Sequence, residues 1–249
     1  MSTLDELRER TSVRAYTDEP ISPEDERAII QAAFEAPTAG NQQPYALIIV
    51  RDQALKERMA VLCDNQPFIA RAPLVIIYVT DLSRWYGAFL ADGVEVREPG
   101  AGDLALALVD TAIAAQNAVV AAQSLGIGSC YIGDILENYE EFARTLDLPA
   151  YVFPTVMCVF GHPTAQQLER PKPPRFAFGD MVSENSYRRM DGGQLVEMMG
   201  AKIGVPGRDR SLAAFADRKW NADFSVELNR SVDAMLRTLH DYYGKPGER

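Results

Sequence analysis

The stretch DLALALVDTAIAAQNAVVAAQSLGIGSCYIGD, from Asp103 to Asp134, constrains this chain more than any other. From Leu104 to Ala122 it is apolar on almost every side, interrupted only by Asp110, Thr111, Gln116 and Asn117. A helix apolar all round packs against other elements over most of its circumference, so the pattern predicts a buried central helix. An acid and two amides inside that window argue against a membrane span, which needs about 20 predominantly apolar residues. Asp103 is placed to cap the start, and Gly126 to end the helix in the left-handed conformation. Ile127 to Ile132 then reads as a short strand.

A chain of 249 residues with 47% hydrophobic composition has enough apolar surface for a substantial core around such a helix. The N-terminus, MSTLDELRER, has no apolar run followed by a cleavage site, so the expected compartment is the cytoplasm. Cys63, Cys130 and Cys158 are odd in number and lack CxxC spacing, which argues against a disulfide framework and a zinc site. The net charge of -10 disfavours nucleic-acid and anionic membrane partners, because phosphate backbones are gripped by clustered Lys and Arg. An anionic ligand must therefore meet a local cationic pocket.

In chain order, Thr3 to Arg10 predicts a short helix, and a second runs from the Ser22 cap and Pro23 to about Glu35. The uncharged loop from Ala36 to Pro44 leads into a strand, Tyr45 to Val50. A helix over Gln53–Cys63 follows, and Leu74 to Thr80 is a β-branched run of the kind buried on both faces. Leu82 to Gly102 carries no clear period and reads as a surface excursion. A helix over Tyr139–Leu146 and a strand over Pro154–Phe160 come next. The run Arg170 to Arg175 is extended by its stacked prolines, and the chain beyond Tyr187 is mostly helical, with a loop from Gly204 to Arg210.

Arg10-x-Ser12-x-Arg14, with Thr11 between, places two guanidiniums and two hydroxyls within five residues, which suits a dianionic phosphate. Alone, it reads more readily as a solvated helix end. Lys172 and Arg175, on the proline-stiffened run, are a second cationic pair that in isolation is a soluble tether. Gly126-x-Gly128 is not a dinucleotide fingerprint, since here a helix ends and a strand begins. The backbone around Gly133 can instead admit a flat heterocycle. Neither His162 nor His240 lies in a triad or metal pattern, and no metal site is expected. Chemistry in this chain would belong to a cofactor.

These residues resemble the FMN-dependent, oxygen-insensitive nitroreductases, in their larger NADPH-type nitroreductase and flavin reductase branch. The resemblance is carried by Arg10-x-Ser12-x-Arg14, Thr17 to Ser22, Val109 to Ala118, Ser124 to Gly128 with Tyr131 to Gly133, and Glu184 to Tyr187, over about residues 4 to 190. It implies an α+β fold with a central, mainly antiparallel sheet flanked by helices. Residues 1–190 would form the FMN-binding core and 191–249 a helical extension of the same domain. The assembly would be an intertwined homodimer with FMN at the interface.

By the matching positions, Arg10, Thr11, Ser12 and Arg14, with Lys172 and Arg175, would hold the FMN phosphate. Thr38, Gly40 and Asn41 would approach the flavin from the partner subunit, and Gln66 would reach the ribityl chain or ring. Tyr131, Ile132, Gly133 and Asp134 would line the isoalloxazine, with a backbone N–H near Gly133 or Asp134 aimed at N5. Arg208 and Arg210, with Arg218 and Lys219 beyond them, are candidates for the 2'-phosphate of NADPH, and the same charges read equally as solvated. The implied reaction is ping-pong, from NADPH or NADH through FMN to a small-molecule oxidant such as a nitroaromatic, a quinone or a free flavin. A reductase dedicated to one metabolite, and a protein that stores or senses FMN, are the competing readings. Asp134 and Leu136 stand where Gly and Arg are common, and Pro174 where Arg is usual. A carboxylate at the ring would lower the flavin potential unless Asp134 turns away.

Overall fold

The computed structural model describes residues 2–203 and 212–243. The chain divides into two compact units, Met1–Arg170 with Glu227–Arg249, and Pro171–Val226. The first contains the sheet.

Helix α1 (Thr3–Glu9) starts on a Ser2/Asp5 capping box, and α2 (Pro23–Phe34) on Ser22 with Pro23 in its first turn. Strand β1 (Tyr45–Ile49) is followed by α3 (Gln53–Leu62) and by α4 (Pro67–Arg71), a short helix with no clear period in sequence. Strand β2 (Leu74–Asp81) is buried at all eight positions. Its alternate residues feed two cores: Val75, Ile77 and Val79 pack with α3 and α4, whereas Leu74, Ile76 and Tyr78 pack with α2 and the central helix. The continuous β-branched run in sequence is therefore a strand covered on both faces.

The segment after β2 is not simply a surface excursion. It forms α5 (Ser83–Ala91), and Trp85 Nε1–H donates to Gln42 O at 2.8 Å. The central helix α6 (Ala101–Ser124) also starts earlier than its sequence suggested. Gly100 is its N-cap, and Asp103 sits three residues in, accepting the Gly100 N–H at 2.8 Å and pairing with Arg97. At the other end Gly126 has φ +74°; its N–H donates to Gln123 O and the Ile127 N–H to Ala122 O, the paired bonds of a left-handed helix stop. Nor is α6 buried all round: Leu106 and Val109 are 50% and 55% exposed. With Ala105 and Ala112, also exposed, they form an open stripe along one side.

Strand β3 (Gly128–Ile132), α7 (Tyr139–Thr145) and β4 (Val152–Gly161) complete the sheet. Its order is β1-β2-β4-β3, antiparallel throughout. Pro154, which has no N–H to give, lies beside a register shift between β2 and β4. Thr155 fills that irregularity: its hydroxyl bonds Thr80 at 2.8 Å, and Thr80 bonds Thr111 of α6 at 2.9 Å. After the short α8 (Ala165–Leu168) the first unit resumes at Glu227.

The second unit holds α9 (Phe178–Met181), α10 (Gly192–Ile203) and α11 (Leu212–Lys219). Helix α12 (Asp223–Tyr243) belongs to the first unit from Glu227 onward; its Met235 and Leu239 join a third core with Leu104, Tyr139 and Phe153. The helical reading beyond Tyr187 agrees with these elements.

Candidate flavin site

The segment from Arg10 to Thr17 leaves α1 and runs beside the edge strand. The Val13 N–H donates to Ser129 O at 2.9 Å, the Thr17 N–H to His162 O at 2.9 Å, and Ala15 O accepts from the Thr164 N–H at 3.2 Å. Two glycines make this approach possible. A Cβ at Gly128 would lie 2.5 Å from Val13 Cγ2, and one at Gly161 would lie 2.5 Å from Tyr16 Cδ1. With Val13 turned into the core, extended geometry sends Ser12 and Arg14 to the other side.

The electrostatics of that side favour an anion. Arg10 Nη1 is buried without a hydrogen-bond partner, and so is Gln167 Nε2, although Gln167 Oε1 accepts the Arg14 N–H at 3.1 Å. Buried donors left unpaired are costly, and a ligand oxygen removes the cost. Arg14 and Gln167 line a cleft of about 580 Å³ with Thr164, Glu169 and Arg170. Arg14 also lines a second cleft, of about 670 Å³, with Tyr16, Asp18, Lys56 and Arg71. Thr11 is half-buried between the two arginines. The structure thus gathers Arg14, Gln167 and Arg170 along one cleft, and Arg10 and Ser12 are not among the residues that line it. No motif marks Gln167, and Arg170 is distinguished in sequence only by opening the proline run.

The ring side follows β3. Tyr131 is exposed, and its hydroxyl donates to Gln116 Oε1 of α6 at 3.1 Å. The Ile132 side chain lies in the core among Ile77 and Met157, so only its backbone is available to a ligand. A Cβ on Gly133 would meet nothing within 4 Å: the space before it is open. Asp134 accepts from Gln66 Nε2, which also donates to Cys63 O at 2.9 Å. Both donors of Gln66 are therefore spent inside the protein, leaving its oxygen to a ligand. The Asp134 carboxylate is turned onto Gln66.

Sequence reasoning missed Glu137, a buried acid just beyond this stretch. Burial, the charge and hydrogen bond of Asp134, and the charges of Asp64 and Glu227 push its pKa up to about 8. Burial raises the thiols of Cys63, Cys130 and Cys158 as well, leaving them as small apolar groups. His162 follows the end of β4, its carbonyl accepts the Thr17 N–H at 2.9 Å, and its Nε2 is 4.0 Å from Glu19.

Thr38, Gly40 and Asn41 form a group of their own on α6. Thr38 Oγ1 donates to Asp110 Oδ2 at 2.6 Å, and Gly40 and Asn41 take φ of +58° and +55°. The Thr38 hydroxyl is occupied in holding the loop. Lys172 and Arg175 lie on the extended start of the second unit. Arg208 and Arg210 lie outside the described residues. Arg218 and Lys219 rest on the rings of Phe215 and Phe224.

The sequence pattern of the Nitroreductase family matches residues 7–162, from the phosphate-type arginines to the end of β4. The chain belongs to the nitroreductase family. A relative from Bacillus subtilis (strain 168), named FMN reductase (NAD(P)H), is 35% identical over 236 residues, 94% of this chain and 90% of its own. The oxygen-insensitive NADPH nitroreductase of Salmonella typhimurium is 33% identical over 189 residues, 76% of each chain. Among solved structures, B. megaterium NfrA2 superposes with a TM-score of 0.83 at 28% identity over 100% of both chains. The α+β nitroreductase fold expected from the motifs, with its antiparallel sheet between helices, is the fold observed.

Proposed function

We propose that this chain is an FMN-dependent NAD(P)H oxidoreductase of the nitroreductase and flavin reductase type. It passes two electrons by a ping-pong cycle to small oxidants such as nitroaromatics, quinones or free flavins. The observation that carries the reading is the buried, unpartnered Arg10 Nη1 beside Ser12 and Arg14, on a segment fixed against the strand that opens at Gly133. Its relatives are named as FMN reductases and NADPH nitroreductases.

Bound FMN supplies the two-electron chemistry, taking hydride from NAD(P)H and returning electrons to the oxidant. The protein's residues bind and position it. Arg10, Ser12 and Arg14 offset the phosphate charge, with Gln167 and Arg170 adding donors. Gly133 leaves room for a flat ring, and Tyr131, braced by Gln116, stands beside it. No histidine is placed as a proton carrier there, consistent with delivery by water.

The working form in this reading is a homodimer in the cytoplasm, with Gly40 and Asn41 reaching the partner's site. The exposed stripe of Leu106 and Val109 supports such an interface, since an apolar helix face open to water gains free energy when covered. The test is direct. Purified protein should be yellow, bleach with NADPH or NADH under anaerobic conditions, and recolour with nitrofurazone or menadione. FMN bound but reduced by neither nicotinamide indicates a storage or sensing protein. Folded protein that binds no FMN overturns the proposal.

A further inference from the structure

The turn leaving β3 carries two acids that the proposed reaction does not use. Gly133–Leu136 is a single 3-10 turn, closed by the Glu137 N–H donating to Asp134 O at 3.0 Å. Side chains three apart eclipse in 3-10 geometry, so this turn sets the Asp134 and Glu137 carboxyls on one side. Asp134 is fixed from α4's N-cap by Gln66. Glu137 is 4% exposed and its Oε1 is buried with no partner, so burial and the neighbouring Asp134 carboxylate both favour its protonated form.

The groups around Glu137 reinforce that state. Asp134, Asp64 after α3 and Glu227 on α12 all carry the same sign, and Cys63 beside them is an uncharged thiol. Arg230, the cation next to Glu227, is spent on Glu227 and Glu140. Leu136 adds no compensating charge.

We propose that Asp134 and Glu137 act as one proton-holding pair that couples proton uptake from water to reduction of a flavin bound against residues 131–134. The inference rests on the flavin reading above. Its cause is Coulombic: negative charge arriving beside Gly133 further disfavours ionised Glu137. From the resting pKa of about 8 up to the raised value, each two-electron reduction then adds one proton to Glu137. One O–H bond forms at the Glu137 carboxylate, water supplies the proton and leaves hydroxide, and the electron pair arrives as hydride from NAD(P)H. Reoxidation reverses the protonation.

The experiment uses the FMN-loaded full chain, E137Q and D134N. Infrared titration should show a protonated-carboxyl band at pH 6.5 that disappears as pH passes about 8, is missing in E137Q, and titrates at lower pH in D134N. Spectroelectrochemistry should show the midpoint potential falling more steeply with pH above about 8, by one extra proton per two electrons, and no steepening in E137Q. No band in the wild type, or identical potential profiles in wild type and E137Q, overturns the pair. If E137Q does not fold, an unshifted band in D134N does the same. Folded protein without FMN overturns the flavin reading and the coupling, while the infrared band of that protein still decides whether the pair holds a proton.

Discussion

Thr38 and Asp110, 72 residues apart, are joined by a 2.6 Å hydrogen bond in which the hydroxyl donates to carboxylate Oδ2, and that oxygen also accepts the Ala39 N–H at 3.0 Å. Asp110 is 4% exposed, so these donors stand in for water around a buried acid. Replacing Thr38 with Val leaves part of that demand unmet and should cost about 1.5–3 kcal/mol of stability in urea unfolding. Thr38→Ser should restore most of it. Equal stability in all three proteins would show that the bond does not hold the loop.

The close approach of Val13 to Gly128 gives a second expectation. Gly128→Ala places a methyl group in space that Val13 occupies, at a cost of about 1–3 kcal/mol, and pushes the Arg10 to Arg14 segment off the strand. FMN affinity, measured by fluorescence, should fall with stability. The double variant with Val13→Ala should recover part of both losses, whereas strictly additive losses would mean that the two side chains do not compete for space.

Arg10 should separate binding from stability. Its buried, unpaired Nη1 costs the free protein, so Arg10→Met should leave apoprotein stability unchanged or raised. The same change removes a charged donor to phosphate, worth about 1.5–3 kcal/mol, and should weaken FMN binding roughly 10- to 150-fold. Parallel loss of stability and affinity would place Arg10 in the fold instead of the site.

Glu137 predicts a stability profile with a definite sign. Its folded pKa is raised from 4.5 to about 8, so between these values the folded state holds a proton that the unfolded state has lost. The stabilisation is complete below pH 4.5 and is lost as pH rises toward 8, at up to about 1.4 kcal/mol per pH unit. Denaturation midpoints of wild type at pH 5, 6.5 and 8 should therefore fall more steeply than those of E137Q. Parallel profiles would contradict the raised pKa.

The open stripe on α6 makes the last prediction. Leu106→Asp with Val109→Asp puts two charges on the face that a partner would cover, and sedimentation should then show monomer where wild type shows dimer. A dimer that persists in the double variant would move the interface elsewhere.

Local physics was legible in the sequence. Ser22 and Pro23 start α2 as read, Gly126 stops α6, and β2 is the doubly covered strand its β-branched run announces. The Arg10-x-Ser12-x-Arg14 segment was legible as a cationic cluster, and the fold buries its Arg10 Nη1 without a partner. Asp103 was misread as a cap because Asp suits both the N-cap and the third helical position, and only the path of Gly100 distinguishes them. Helix α5 was missed because Ser83–Ala91 alternates exposed aromatics and small residues without a buried face to give it a period.

Glu137 lay beyond sequence reasoning for a different reason. An acid near a helix start usually reads as a solvated charge, and what makes this one a proton carrier is burial beside Asp134, Asp64 and Glu227, groups drawn from three parts of the chain. What the sequence determined by itself was most of the helices and strands, because caps, glycine stops and hydrophobic period act over a few residues. What the tertiary structure decided was which charges lose their water and which partners replace it: Asp110 with Thr38, Asp134 with Gln66, and Arg10 Nη1 with no partner. Desolvation depends on everything packed around a group, and that packing is non-local.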